Sequence, residues 1–263
     1  MSSVLTWQDW PTRPTDFYLA PGEVHLWCTS LALPSATVAR LAAVLAPDEQ
    51  QRAAGFLSAE SRREFVAARA ILRLILSRYL GLGPQELRLR TNPWGKPELE
   101  PAPASSRPAL TFNLSHSEGL ALYALTCERA IGVDLEFLRP LPEDELEQLA
   151  ARYFAPSEYR TFLNLAHEEK RAAFFRCWTR KEAYVKARGQ GLSLSLSAFE
   201  VSLTSDSPPR LLASSEDPQA PQRWSLLSLE PSPSYTAALA VEGHIDHVEY
   251  LRWNSHEFSP FAT

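Results

Sequence analysis

The sequence predicts an α+β fold built as a pseudodimer, two similar α/β halves, each a small antiparallel sheet packed with a long helix. Three observations lead there. Landmarks recur at a constant offset of 109 residues: Val24-His25-Leu26-Trp27 aligns with Val133-Asp134-Leu135-Glu136, and Leu45-Ala46-Pro47-Asp48-Glu49 aligns with Phe154-Ala155-Pro156-Ser157-Glu158. On the same offset a helix through Arg69, Arg73 and Ser77 aligns with one through Trp178, Glu182 and Lys186. Each copy also runs in one order, a strand, then helices, then closing strands, which separates helices from hairpins as α+β folds do.

The elements follow from local chemistry. Alternating runs at Glu23 to Thr29 and Ile131 to Glu136 read as the opening strands. A helix starts at Pro47 and another at Pro156, where the missing N–H costs nothing. A long amphipathic helix runs from Ser61 to Tyr79, with Phe65, Ile71, Leu72, Ile75, Leu76 and Tyr79 mostly on one side. Its counterpart runs from Lys170 to Ala187 and stops at Gly189, a residue suited to the left-handed turn after a helix. Strands close the first half at Leu87 to Arg90, Leu110 to Leu114 and Leu120 to Leu125, and the second at Phe199 to Leu203, Trp224 to Leu229 and Tyr235 to Val241. Ser205 to Gln222, rich in Ser, Pro and Asp, reads as a mobile loop. The division expected is an N-terminal extension over 1–22, a first half over 23–126, a second half over 127–250 and a tail over 251–263; Thr15 to Pro21 and the stretch after Trp253 read as surface extensions.

Composition narrows the function classes. A chain of 263 residues, 45% hydrophobic, can bury a sizeable core. Its net charge of -5 argues against reliance on nucleic-acid phosphates. Yet Glu169 to Arg188 holds seven basic residues (Lys170, Arg171, Arg176, Arg180, Lys181, Lys186, Arg188) against Glu169 and Glu182, a strip that points to an anionic ligand or acidic partner. No run approaches the ~20 apolar residues of a membrane span. The segment from Met1 to Pro14 lacks the pattern of a signal peptide. Cys28, Cys127 and Cys177 are odd in number and far apart, suggesting neither disulfides nor zinc. The expectation is a reduced, cytoplasmic enzyme with no nucleic-acid or membrane partner, for which the duplication makes a monomer sufficient.

The chemistry concentrates at two segments. Asp134 and Glu136 share one face of a strand, roughly 7 Å apart, while Val133 and Leu135 take the opposite, buried face. Trp178, Glu182 and Lys186 form one stripe of a helix. Together they can bring three carboxylates and a lysine to one point. Such an oxygen-ligand set suits Mg²⁺, which completes its shell with water and phosphate. Each motif alone also fits a solvated helix face or an exposed strand edge.

Gly132-Val133-Asp134-Leu135-Glu136, followed by Phe175, Trp178, Lys181, Glu182, Ala183, Lys186, Gly189 and Gly191-Leu192, resembles the signature of the 4′-phosphopantetheinyl transferase superfamily. Pro47-Asp48-Glu49, Gly95-Lys96-Pro97 and Phe112-Asn113-Leu114-Ser115-His116-Ser117 agree in order, and the length resembles the larger, two-half Sfp-like group. The resemblance implies transfer of 4′-phosphopantetheine from coenzyme A to a serine of an acyl or peptidyl carrier protein, with release of 3′,5′-adenosine bisphosphate. It implies Asp134, Glu136 and Glu182 as Mg²⁺ ligands, with Lys186 on the departing phosphate; Glu182 is the candidate base, taking the serine proton directly or through a metal-bound water. Lys96, Pro97, Ser115 and His116 match positions near the nucleotide. Arg52, Arg62, Arg63 and Arg69 are candidates for the 3′-phosphate, with Arg52 preferred and Arg63 beside it. Ser115 and His116, being strand neighbours, face opposite ways and form no nucleophilic dyad. The carrier is expected on the apolar and basic surface around Ala172 to Arg180, with Phe174, Phe175 and Trp178 in the core. Rival readings are a Mg²⁺-dependent hydrolase of coenzyme A or another nucleotide pyrophosphate, and a scaffold that binds coenzyme A or a carrier without turnover.

Overall fold

Apolar alternation makes β1 (Glu23–Ser30) a strand covered on both faces, and a computed structural model describing residues 6–12, 17–100 and 109–254 places it inside the first half. Parts of the expected N-terminal extension (1–5 and 13–16), and the tail beyond Asn254, lie outside the described residues. Three helices follow β1: α1 (Ser35–Ala42), α2 (Pro47–Ala54) and the 22-residue α3 (Ala59–Leu80). Two hairpins complete the half, β2 (Leu89–Thr91) with β3 (Pro97–Leu99) and β4 (Leu110–Ser117) with β5 (Leu120–Cys127). The second half repeats the plan with β6 (Ile131–Phe137), α4 (Glu143–Tyr153), α5 (Pro156–Leu163) and the 22-residue α6 (His167–Arg188). It closes with β7 (Phe199–Val201), β8 (Leu211–Ser214), α7 (Ala220–Arg223), β9 (Trp224–Leu229) and β10 (Tyr235–Glu242).

The duplication is written in the helix starts. Pro47 and Pro156 open α2 and α5, and the glutamate two residues on takes the N–H of the residue before the helix, Ala46 to Glu49 at 3.0 Å and Ala155 to Glu158 at 2.7 Å. Both glutamates are buried, and each meets a cation from the long helix behind it. Arg73 Nε donates to Glu49 at 2.5 Å; Lys181 Nζ reaches Glu158 at 2.7 Å. Arg73 is therefore the counterpart of Lys181, which corrects the expected alignment of Arg73 with Glu182. The loop before α3 spans Gly55 to Ser58, the loop before α6 only Asn164 to Ala166, so the offset contracts by one residue there. Leu74 then stands opposite Glu182. Both long helices end on a left-handed glycine, Gly81 and Gly189, each at φ 66°.

A four-stranded sheet in the order β11-β1-β5-β4 belongs to the first half, where β11 is His247–Arg252, and a three-stranded sheet β6-β10-β9 belongs to the second. Pairing is antiparallel as expected, with one exception. β11 lies parallel to β1, carrying the chain's C-terminal end back into the first half and burying Leu251 and Trp253 in its core, so residues 251–253 are not a free tail. The segment Ser205 to Gln222 is likewise more ordered than a loop, because Leu211 and Ser214 face inward on β8, which pairs with β7, and Ala220 starts α7.

Each long helix fills its own core, α3 with Ile71, Leu72, Ile75 and Leu76, α6 with Phe174, Phe175, Tyr184 and Val185. A third apolar layer joins the halves: Val24, Leu26, Leu122 and Ala124 meet Val133, Leu135, Leu239 and Val241. β4 and β6, each at the edge of its sheet, come side by side at this seam.

Candidate active site

Gly132 sets the position of the carboxylate strand. A Cβ there would lie 2.1 Å from the Ala183 carbonyl oxygen and 2.3 Å from the Ala187 nitrogen. Only glycine lets β6 rest directly on the α6 backbone. Two residues on, Asp134 consequently meets α6 side chains: Lys186 Nζ donates to Asp134 Oδ1 at 2.6 Å. Ser115 of β4 completes the cluster, within 3.0 Å of Lys186 Nζ and 3.2 Å of Asp134 Oδ1.

Asp134 is buried, and its second oxygen, Oδ2, is enclosed without a hydrogen-bond partner. A buried carboxylate oxygen left so is costly unless a cation or a donor meets it. Glu136 and Glu182 stand around the same point. Burial, then the Asp134 charge, pushes each of their carboxyls above the ordinary range, while Lys186 opposes the shift. The Trp178 side chain hydrogen-bonds to Glu136, and Ser117 Oγ lies 3.5 Å from its Oε2. Three carboxylates against Lys186, with Arg139 acting on Glu136 as well, leave a site that favours further positive charge. Among the described residues no group of three or more His, Cys, Asp or Glu side chains is arranged to hold a metal ion by itself. The donors, hard oxygens in small number, instead match what Mg²⁺ accepts when water and phosphate supply the rest.

The nucleotide candidates are dispersed. Lys96 Nζ donates to the Ile131 carbonyl at 3.0 Å, and burial lowers its pKa to about 8. Its hairpin is also tied by Asn92, which donates to the Gly189 carbonyl at 3.0 Å, and Pro97 opens β3 beside it. Both bonds cross between the halves. His116 faces away from Ser115, as strand alternation requires; it is exposed overall, yet the protein around its ring and then Lys186 lower its pKa, against the opposing charge of Glu64. Of the arginines, Arg69 is held at 2.5 Å by Glu49 and is committed to the helix start. Arg63 donates to Ser35 Oγ and the Leu33 carbonyl, and Arg62 to the Phe56 carbonyl. Arg52 is exposed, its guanidinium 5.3 Å from the Phe65 ring centre.

Two family models match the chain in tandem: the 4′-phosphopantetheinyl transferase superfamily over residues 130–240, and the N-terminal region of 4′-phosphopantetheinyl transferases over 34–128. The chain is 44% identical over 234 residues to the 4′-phosphopantetheinyl transferase HetI of Nostoc sp., covering 89% of this chain and 94% of that protein. The chain belongs to the 4′-phosphopantetheinyl transferase superfamily. Similarity extends to the 4′-phosphopantetheinyl transferase Sfp of Bacillus subtilis, 28% identical over 83% of this chain and 91% of that one. Among solved structures, Thermotoga maritima holo-[acyl-carrier-protein] synthase aligns with a TM-score of 0.35 and 26% identity, covering 44% of this chain and 63% of that chain.

In this transferase the basic strip of α6 has a different meaning from the one its charge suggested. Lys170 is spent on Glu143 and Glu147, and Arg180 and Lys181 are buried. Lys181, 0% exposed, pairs with Glu158 and donates hydrogen bonds to the Leu196 and Phe199 carbonyls. Arg180 donates to the Ser202 carbonyl and to Ser228 Oγ, and Arg176 to the Leu203 carbonyl. Most of the strip braces the second half, so the surface from Ala172 to Arg180 is no basic platform. Phe174 and Phe175 are core residues, as expected, while Trp178 is half-buried and edges the site. Sequence reasoning missed Asn113 and Ser117, although their period-two spacing with Ser115 was a signal that all three share one face.

Proposed function

We propose that the protein transfers 4′-phosphopantetheine from coenzyme A to the hydroxyl of a serine on an acyl or peptidyl carrier protein, releasing 3′,5′-adenosine bisphosphate, with Asp134, Glu136 and Glu182 holding Mg²⁺. The observation that carries the site assignment is the enclosed, unpartnered Asp134 Oδ2 beside two carboxyls held above their ordinary range. When bound, Mg²⁺ supplies charge neutralisation to a pyrophosphate. The chain's own groups do the rest. Lys186, already within reach of Asp134 and Ser115, offers its ammonium to the departing phosphate on a long flexible stem. Glu182 takes the serine proton as the hydroxyl oxygen attacks phosphorus and the pyrophosphate P–O bond to the departing 3′,5′-adenosine bisphosphate breaks. Lys96, Pro97, Ser115 and His116 border the nucleotide, and Arg52 and Arg63 are the proposed contacts of its 3′-phosphate. Arg69 is withdrawn from that role by Glu49.

The reading extends to a cytoplasmic monomer working on a soluble carrier; among the described residues no helix is long and apolar enough to cross a membrane. Intact mass of an apo carrier protein incubated with the enzyme, coenzyme A and Mg²⁺ tests it. A gain of one phosphopantetheine, abolished by chelator, is the expected result. Consumption of coenzyme A without any gain across several carriers would replace transfer with hydrolysis, and neither consumption nor gain would leave a binding scaffold.

A further inference from the structure

β6 is an edge strand, and its outward N–H groups at Val133, Leu135 and Phe137 have no backbone partner in its sheet. Three side chains of β4 accept them instead: Asn113 Oδ1 from Val133 at 2.8 Å, Ser115 Oγ from Leu135 at 3.2 Å and Ser117 Oγ from Phe137 at 3.1 Å. The spacing matches step for step, every second residue on β4 serving every second residue on β6. The two carboxylates, Asp134 and Glu136, ride on the residues between these anchor points. We propose that Asn113 and Ser117 are positioning residues for the reaction: the ladder of β4 side chains fixes the height and register of β6 across the seam, and so aims Asp134 and Glu136 at the cation. Asn113 is the cleaner case. It is buried, and its Oδ1 accepts from a backbone N–H rather than touching any proposed ligand. Its action on the carboxylates passes through the strand alone. This inference rests on the Mg²⁺ reading above.

The test measures metal binding without turnover, by the electron paramagnetic resonance of free Mn²⁺ titrated with protein, alongside the KM for Mg²⁺ and for coenzyme A. Asn113→Leu removes the acceptor at similar volume, whereas Asn113→Asp keeps an oxygen in place. The expected result is a Mn²⁺ affinity weakened about tenfold or more in Asn113→Leu, the scale of losses seen when groups that orient metal ligands are removed. KM for Mg²⁺ should rise with it, KM for coenzyme A should hold, and Asn113→Asp should recover most of the loss. Ser117→Ala, at the more exposed end of the ladder, provides the same comparison should Asn113→Leu not fold, with Ser117→Thr as its rescue. Wild-type Mn²⁺ affinity in folded variants, with only thermal stability lowered, would reduce the ladder to a structural seam and overturn the proposal. No Mn²⁺ binding by the wild-type protein would overturn the metal reading itself, and the proposal with it.

Discussion

Replacing Glu182 by Gln keeps the side chain's volume and removes its charge, so the substitution separates chemistry from packing. Transfer should fall by about 10²–10⁴, the range attached to a lost general acid or base. Stability should move the other way. The Glu182 carboxyl is held above its ordinary range, first by burial and then by Asp134, so its ionised form is disfavoured in the folded protein. Stability tied to this group is present below the unfolded pKa and lost as pH rises through the folded one. At neutral pH the Gln variant should therefore melt no lower than the wild type, and slightly higher. Intact-mass transfer assays, and thermal unfolding of the metal-free protein, check the two halves; undiminished transfer would remove Glu182 from the mechanism. Lys96 gives the opposite sign. Its ordinary value of 10.5 is lowered to about 8, first by burial, so the folded state gains stability as pH rises through 8 toward 10.5, where the folded lysine is neutral and the unfolded one still charged. In the proposed role Lys96 meets coenzyme A as a cation. The KM for coenzyme A should rise above pH 8 in the wild type, and Lys96→Met should be weak throughout with that pH dependence flattened; a KM profile unaltered by the substitution would place Lys96 purely in the hairpin's anchorage to Ile131.

At the scale of elements, the contact between β6 and α6 is the geometry on which the site depends. Gly132→Ala would drive a methyl into the Ala183 carbonyl and the Ala187 backbone, where no flexible side chain can yield. Overpacking of this kind costs ~1–3 kcal/mol, and separating the two elements moves Asp134 away from Lys186. The expected outcome is a lower melting temperature together with a loss of transfer larger than the stability change explains, read from assays well below the unfolding transition; full activity would show that the close approach is dispensable. The sequence revealed the parts of this arrangement that obey local rules. Prolines at helix starts, the glycine at the end of α6 and strand alternation placed the starts of α2 and α5, the stop at Gly189 and the shared face of Asp134 and Glu136. What escaped depends on distant partners. β11 is the half-polar run His-Val-Glu-Tyr-Leu-Arg, whose strand character comes from β1 at the other end of the chain. The buried roles of Arg180 and Lys181 were hidden because a charge strip looks the same whether it faces solvent or braces a core, and only the arrival of Glu158, Ser202 and Ser228 decides. The contraction between Gly55–Ser58 and Asn164–Ala166 was invisible to a gapless alignment until the paired Glu49–Arg73 and Glu158–Lys181 contacts fixed the register.

For the whole molecule, the two halves are similar in plan but not independent. The apolar face of each central sheet is closed by the other half, Asn92 and Lys96 bind backbone carbonyls across the junction, and β11 leaves the second half to finish the sheet of the first. The duplicated plan also explains why one site suffices. At the positions of Asp134 and Glu136 the first half has His25 and Trp27, both hydrogen-bonded to Tyr79, and opposite Glu182 it has Leu74, so where the second half carries carboxylates the first carries packing residues. This interlocking makes a demand on the C-terminal strand. Ending the chain after Gly243 would remove no proposed site residue, yet it would strip the parallel partner from β1 and empty the space filled by Leu251 and Trp253. Loss of each such core side chain costs about 2–5 kcal/mol. Against a typical total stability of about 5–15 kcal/mol, the two together with a lost strand pairing are enough to unfold the protein. Expression of the truncated chain should yield aggregated or molten protein without transfer activity, measured by sedimentation, near-ultraviolet circular dichroism and carrier mass. A truncated protein that stays folded and active would mean that the first half completes its core without β11, and that the halves are joined by the central apolar layer alone.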